Sequence, residues 1–170
     1  MSNKIPQRLT HFNLFIGSTG YGGVISELTL PKLTATTTDH LAGGMFQAMA
    51  IETGMEPMEA SYTLASYEPD VFRLMGFVPG GEANLIARGS LKRGAEVTPV
   101  AVVINGIISE IDMGTWKKQE DTSLQFTVKV NYYKYQYGAE NLIEIDTKNM
   151  IYKVGGVDRL AEERKAIMLP

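Results

Sequence analysis

The sequence predicts a mainly β fold with one short helix and one C-terminal helix. Three observations predict it. Residues 124–137 alternate, with Leu124, Phe126, Val128, Val130 and Tyr132 on one side and Gln125, Thr127, Lys129 and Asn131 on the other. That is the period of two of a half-buried strand. Residues 97–111 carry an almost unbroken apolar run, Val100 to Ile104 and then Ile107 and Ile108, the pattern of a strand buried on both faces. Finally, 17 glycines are enough to punctuate many turns.

The 124–137 stretch organises the rest. It contains no Gly or Pro and is rich in Val, Thr, Phe and Tyr, which suit a pleated, half-buried surface. About 14 residues at ~3.3 Å each reach roughly 46 Å, against ~5–6 residues for an ordinary strand. Burying the apolar face contributes on the order of 10 kcal/mol as an upper estimate. A one-residue slip would turn that face to water, so its register should be firmly set. A strand this long overshoots the core of a small domain, and its length is expected to serve neighbouring subunits.

Composition narrows the function classes. A chain of 170 residues is read as one domain, 1–170. Net charge of −3 gives no basic footprint for gripping phosphates. The absence of Cys removes disulfides, thiolate chemistry and Cys-ligated metals. No apolar run of membrane-spanning length and no signal-peptide pattern is present, so no spanning segment and no export by that route are expected.

In chain order, residues 1–10 are polar and read as a loose arm, and 13–16 as a short strand. The glycine cluster of 17–23 has no Lys after it and so reads as a turn, not a phosphate loop. Residues 24–38 read as a second long strand. Leu28 and Leu30 share a face, then Leu33 and Ala35; the phase flips at Pro31, which predicts a bulge or bend there. Beyond it Thr34, Thr36 and Thr38 form a small, neutral, hydroxyl-bearing face, either solvated or facing an interface or pore.

Asp39, His40, Leu41, Ala42, Gly43, Gly44 and Met45 read as a loop with two exposed-looking apolar residues. His40 lacks ligand-spaced partners, so no metal site is expected. Residues 46–53 and 58–64 alternate around 54–57 and read as a hairpin. Glu52, Glu56 and Glu59 cluster near its turn; paired carboxylates can do acid–base work, but a solvated or pore-facing acidic patch is the simpler reading. Residues 68–75 read as a short helix, with Pro69 in the first turn, Glu68 and Asp70 at the positive end and Gly76 as the stop.

Residues 83–92 read as a strand. Asn105–Gly106 is a hairpin signal taken alone, yet one long strand over 97–111 with a kink at Gly106 is preferred, because 112–114 offers a turn at the proper end. Trp116 reads as a packing plug. Residues 141–146 and 150–154 read as short strands, and 158–169 as a closing helix. Asp158 is its N-cap, and Leu160, Ala161, Arg164, Ile167 and Met168 are its covered side.

A set of short pieces in fixed order then becomes informative: Asn13-Leu14-Phe15, Leu28-Thr29-Leu30-Pro31-Lys32-Leu33, Ala42-Gly43-Gly44-Met45, Gly54-Met55-Glu56, Met58-Glu59-Ala60, Arg88-Gly89-Ser90, Trp116-Lys117, Tyr132-Tyr133-Lys134, Glu144-Ile145-Asp146 and Gly156-Val157-Asp158. Over nearly the whole chain this order resembles the major tail tube protein of contractile-tailed phages and of R-type pyocins. The resemblance implies a β-sandwich or barrel with a flanking helix. It implies hexameric rings in which long strands from all subunits join one barrel around a lumen, with the rings stacked into a hollow tube that DNA crosses without specific binding. Sheath, baseplate and tail-terminator proteins are the implied partners, the virion tail the implied location, after assembly in the host cytoplasm; no cofactor is implied. The family's inter-ring loop falls on Asp39 to Met45.

The residue patterns are compatible with this: strand edges must be paired, barrel closure removes them, and a pore for a polyanion should be neutral or acidic. Two alternatives stay open. One is the tube of a phage-tail-like bacteriocin or type VI-like secretion particle without DNA cargo. The other is an enzyme using two of Glu52, Glu56 and Glu59, as retaining glycosidases use paired carboxylates, although no sugar-stacking cleft is evident around them.

Overall fold

The computed structural model describes residues 5–74 and 82–169. Its strands are β1 (Arg8–Ile16), β2 (Thr19–Gly20), β3 (Ile25–Thr29), β4 (Ala35–His40), β5 (Met49–Met55), β6 (Met58–Leu64), β7 (Ala83–Arg93), β8 (Glu96–Asp112), β9 (Leu124–Tyr137), β10 (Glu140–Asp146), β11 (Ile151–Val154) and β12 (Val157–Asp158). Two short helices, α1 (Pro69–Leu74) and α2 (Ala161–Ala166), accompany them. The fold is mainly β, as the periodicity predicts.

β9 is the hub of one large antiparallel sheet. β8 pairs along one of its edges, from Val100↔Tyr137 to Asp112↔Gln125. The other edge is divided: β6 takes Leu124 to Val130, and β10 takes Tyr132 to Tyr137. The length of β9 is therefore used inside the chain, where its halves serve two branches. Neither edge of β9 is left over to pair with a neighbouring subunit.

The Asn105–Gly106 dipeptide is not a hairpin. β8 runs through it for 17 residues, with a bulge: Asn105 faces Tyr132, whereas Gly106 faces Val130, leaving Asn131 over. A Cβ on Gly106 would sit 2.1 Å from the Lys129 carbonyl oxygen, so the strands meet here only through a glycine. The extra residue switches the inward phase of β9. Leu124, Phe126, Val128 and Val130 are buried, but Tyr133 then takes the inner side and Tyr132 is only half-buried. The strict alternation predicted through Tyr132 is corrected at that residue.

The predicted 24–38 strand is two strands in two sheets. β3 pairs with β6, and β4 pairs with β5. The 46–53/58–64 hairpin is likewise corrected, because β5 and β6 follow one another in the chain without pairing together. The four strands form one bent ribbon, interrupted at Pro31 and Pro57, where no proline can donate to a ladder. The Glu56 N–H donating to the Thr34 carbonyl at 2.9 Å bridges the break. The ribbon must leave the sheet at this point, because β10 takes over the β9 edge beyond Val130.

The sheet curls. Laid flat, the order β3-β6-β9-β8-β7-β1 would hold β3 and β1 about 24 Å apart, at ~4.8 Å per strand. Instead Ser26 and Leu28 of β3 line the same cavity of about 380 Å³ as Leu9 and Phe12 of β1. The curl encloses a core of Leu14, Ile16, Tyr62, Leu64, Leu85, Ile104, Leu124, Phe126 and Val128. Tyr62 stacks on Phe126 with ring centroids 4.9 Å apart. α1 closes one end through buried Val71 and through Phe72, whose ring lies 6.3 Å from that of Phe126. Met75 and Gly76 of the helix prediction lie outside the described residues.

The ends differ most from expectation. β1 starts at Arg8 instead of Asn13 and pairs with β7 throughout, so residues 8–10 are strand and not loose arm. Trp116 is 81% exposed and plugs nothing; its indole N–H donates to the Tyr67 hydroxyl at 2.9 Å. α2 is shorter than predicted and buries no residue; its N-cap is Leu160, not Asp158. Of its expected covered side, only Leu160 and Arg164 are half-buried.

Candidate assembly surfaces

The bent ribbon produces the most conspicuous surface. β4 and β5 pair over Ala35↔Met55 to His40↔Met49, a ribbon about 20 Å long at ~3.4 Å per residue. Every residue from 32 to 54 is exposed. An isolated two-stranded ribbon is marginal in water, and this one shows Leu41, Met45, Phe46, Met49 and Ile51 to solvent. Apolar exposure of this kind marks an interaction site.

The predicted stacking loop divides between strand and tip. Asp39 and His40 are the last residues of β4, opposite Ala50 and Met49. Leu41, Ala42, Gly43, Gly44 and Met45 make the tip, where the Met45 N–H donates to the Ala42 carbonyl at 2.9 Å. Gly43 and Gly44 stand in open space. Thr36 and Thr38 lie on β4, whereas Thr34 lies in the break before it. Both faces of β4 are exposed, so burial does not single out the threonine face.

The three glutamates do not make a catalytic pair. Glu59 bonds Lys129 across the β6–β9 ladder. Glu52 faces Thr37 on the arm, and Glu56 sits at its base. Glu52 and Glu56 border an open cavity of about 480 Å³ beside Lys129 and Asp146, which Glu59 does not line. Among the described residues no group of His, Asp and Glu is placed to hold a metal ion. No helix among them is long and apolar enough to cross a membrane.

Sequence reasoning missed two features. The first is an open margin. Among the described residues β1 pairs with β2 only at Phe15 and Ile16, and β3 pairs with β6 alone. Arg8 lies opposite Lys92 there, with Arg88 farther along, and none of the three makes an ion pair among the described residues. The second is a latch holding α2. Arg164 donates to the Met150 carbonyl at 2.8 Å and to Asp158 Oδ2 at 2.7 Å, while Asp158 Oδ1 accepts the Leu160 N–H at 3.1 Å. The Arg164 hydrogen bond holds the Asp158 carboxyl below its ordinary value, and that carboxylate raises Arg164. The Tyr132 hydroxyl donates to Glu144 at 3.0 Å; burial, then that bond and the nearby carboxylates, push it up to about 12.

The chain is similar to known proteins along its length. The family model described as phage tail tube protein FII matches residues 6–167. The tail tube protein of Escherichia phage P2 is 34% identical over 97% of this chain and 99% of its own. The chain belongs to the phage tail tube protein FII family.

The major tail tube protein of Serratia phage KSP20 is also 34% identical, over 89% of this chain and 90% of its own. A solved chain from the sheath/tube terminator of an extracellular contractile injection system, PVC, in its extended state, has a TM-score of 0.61 at 9% identity. It covers 79% of this chain and 99% of that chain. A chain of the PVC sheath–tube complex gives 0.57 at 10% identity, over 79% and 93%. At such identities the likeness is one of fold. Family membership makes this chain a structural tail tube subunit of a contractile tail system, a component of the virion tail and not an enzyme.

Proposed function

We propose that copies of this chain close into hexameric rings, that the rings stack into a hollow tube, and that DNA passes through its lumen. The carrying observation is the β4–β5 arm, a marginal ribbon with uncovered apolar residues that gains stability only when another surface covers it. Its tip, Asp39 to Met45, is the stacking contact, with Thr34, Thr36 and Thr38 on the lumen side. The inter-subunit contacts are made away from β9, whose edges are occupied within the chain. A subunit charge of −3 suits a conduit that repels its polyanionic cargo.

The whole chain, 1–170, acts as one tube domain, inside a contractile sheath and between baseplate and tail-terminator proteins. The names of structural neighbours support this: one comes from a sheath–tube complex and another from the baseplate of the anti-feeding prophage. Those neighbours also favour a second reading, a tube of the same build in a particle without DNA. Electron microscopy of purified particles, with assay of packaged nucleic acid, tests both. Hollow tubes in DNA-filled particles support the first reading and tubes in DNA-free particles the second; solid or absent tubes contradict both.

A further inference from the structure

The arm requires a receptor, and the chain carries a surface complementary to it. We propose that the arm of one copy docks on the open β1 edge of a second copy, its apolar residues covering the groove between β1 and β3 and its carboxylates meeting Arg8 and Lys92, which project from the opposite face of the same edge. This rests on the tube reading above and names the partner surface for it.

The donor side is apolar and acidic. Residues 33–57 contain Asp39, Glu52 and Glu56 and no Lys or Arg. None of the three carboxylates makes an ion pair among the described residues. Among the described residues the tip bonds only within its own turn, through Ala42 and Met45.

The acceptor edge is apolar on its groove face and basic on the other, where Arg8 and Lys92 border a separate hollow with Ile5 and Thr10. The groove of about 380 Å³ is lined by Leu9, Phe12, Leu28, Leu30 and Leu91, with Glu27 as its carboxylate. Among the described residues the strand edges on either side are open from Arg8 to Asn13 on β1 and along β3. An open edge accepts an added strand through main-chain bonds. Arg8 and Lys92 stand directly opposite one another, and like charges so placed are destabilising. An incoming carboxylate removes that repulsion. Donor and acceptor lie on different elements, so the contact, made head to tail, propagates from copy to copy as a ring or filament requires, whereas a reciprocal exchange would stop at a dimer.

The chain has no Cys, which permits a direct test. Phe46→Cys and Leu9→Cys are introduced singly and together, and the purified protein is assembled and mildly oxidised. The double variant is expected to give a ladder of covalent oligomers on denaturing gels, and mixed single variants a dimer only. If the double variant forms tubes like wild type without cross-linking, this docking is overturned and the tube reading stands. If wild type itself forms no assembly, both fall. A second arm uses Arg8→Glu with Lys92→Glu, with folding checked by circular dichroism. It should raise the concentration needed for assembly about tenfold, or ~1.4 kcal/mol, and Asp39→Lys with Glu52→Lys should reverse most of that. An unchanged assembly concentration contradicts the docking.

Discussion

Replacing Gly106 by Ala tests the geometry that organises the sheet. The new Cβ would lie 2.1 Å from the Lys129 oxygen, 2.9 Å from its carbonyl carbon and 3.0 Å from Val128 Cγ1. The first two are backbone atoms and cannot swing aside, so β8 and β9 must part locally by about 1 Å. A ladder bond of ~2.9 Å stretched by that amount is no longer a hydrogen bond. Losing two such bonds costs about 2 kcal/mol, and overpacking adds about 1–3 kcal/mol. Reduced freedom of the unfolded chain offsets ~0.4–1 kcal/mol. The net loss is about 3 kcal/mol, a large share of the ~5–15 kcal/mol typical of a domain. Urea unfolding followed by far-ultraviolet circular dichroism, below the concentration of assembly, measures it. Gly43→Ala is the control, because nothing lies within 4 Å of its Cβ, and it should match wild type within ~0.5 kcal/mol. A Gly106→Ala variant equally close to wild type would refute the close approach of β8 and β9.

Val128→Asp places a carboxylate at a fully buried position between Ala60 and Ile108. It should cost more than about 4 kcal/mol and abolish folding before it affects tubes; circular dichroism and microscopy together would show folded monomer if the burial is misassigned. Replacing Gly43 and Gly44 by Leu should leave the melting temperature within ~3 °C while hindering tube formation; normal tubes would argue against the tip as a contact. Asp158 has a depressed folded pKa, so its contribution is present above the ordinary aspartate value and is lost as pH falls through the folded one. Wild type should therefore lose stability below about pH 4 more steeply than Arg164→Ala, in which the largest cause of the shift is removed; parallel acid-unfolding curves would contradict the latch.

The strands were legible in the sequence wherever one residue pattern sufficed. The alternation of Leu124 to Val130 and the apolar run of Val100 to Ile104 mark β9 and β8 with nearly their observed bounds. Partners were not legible, because alternation says which face is buried and nothing about which edge is taken. The phase flip at Pro31 was visible, but its consequence depends on β10 displacing the ribbon from β9, a competition between segments about 80 residues apart. Tyr132 and Tyr133 exchanged roles because the bulge opposite Gly106 adds a residue that only the pairing reveals. β1 was cut short because polar Arg8, Thr10 and His11 hide the apolar side of an edge strand. The arm tip was partly legible from Leu41 and Met45 beside two glycines. Its receptor was not, since Arg8 and Lys92 meet only through the β1–β7 register.

Electron cryomicroscopy of the purified chain at high concentration tests the central claim most directly. The account predicts rings with an axial opening, stacked into a tube, with density of each β4–β5 arm running onto a neighbouring copy. A chain that remains monomeric under those conditions and beside sheath protein, or a tube in which the arms project freely into solvent, would contradict it.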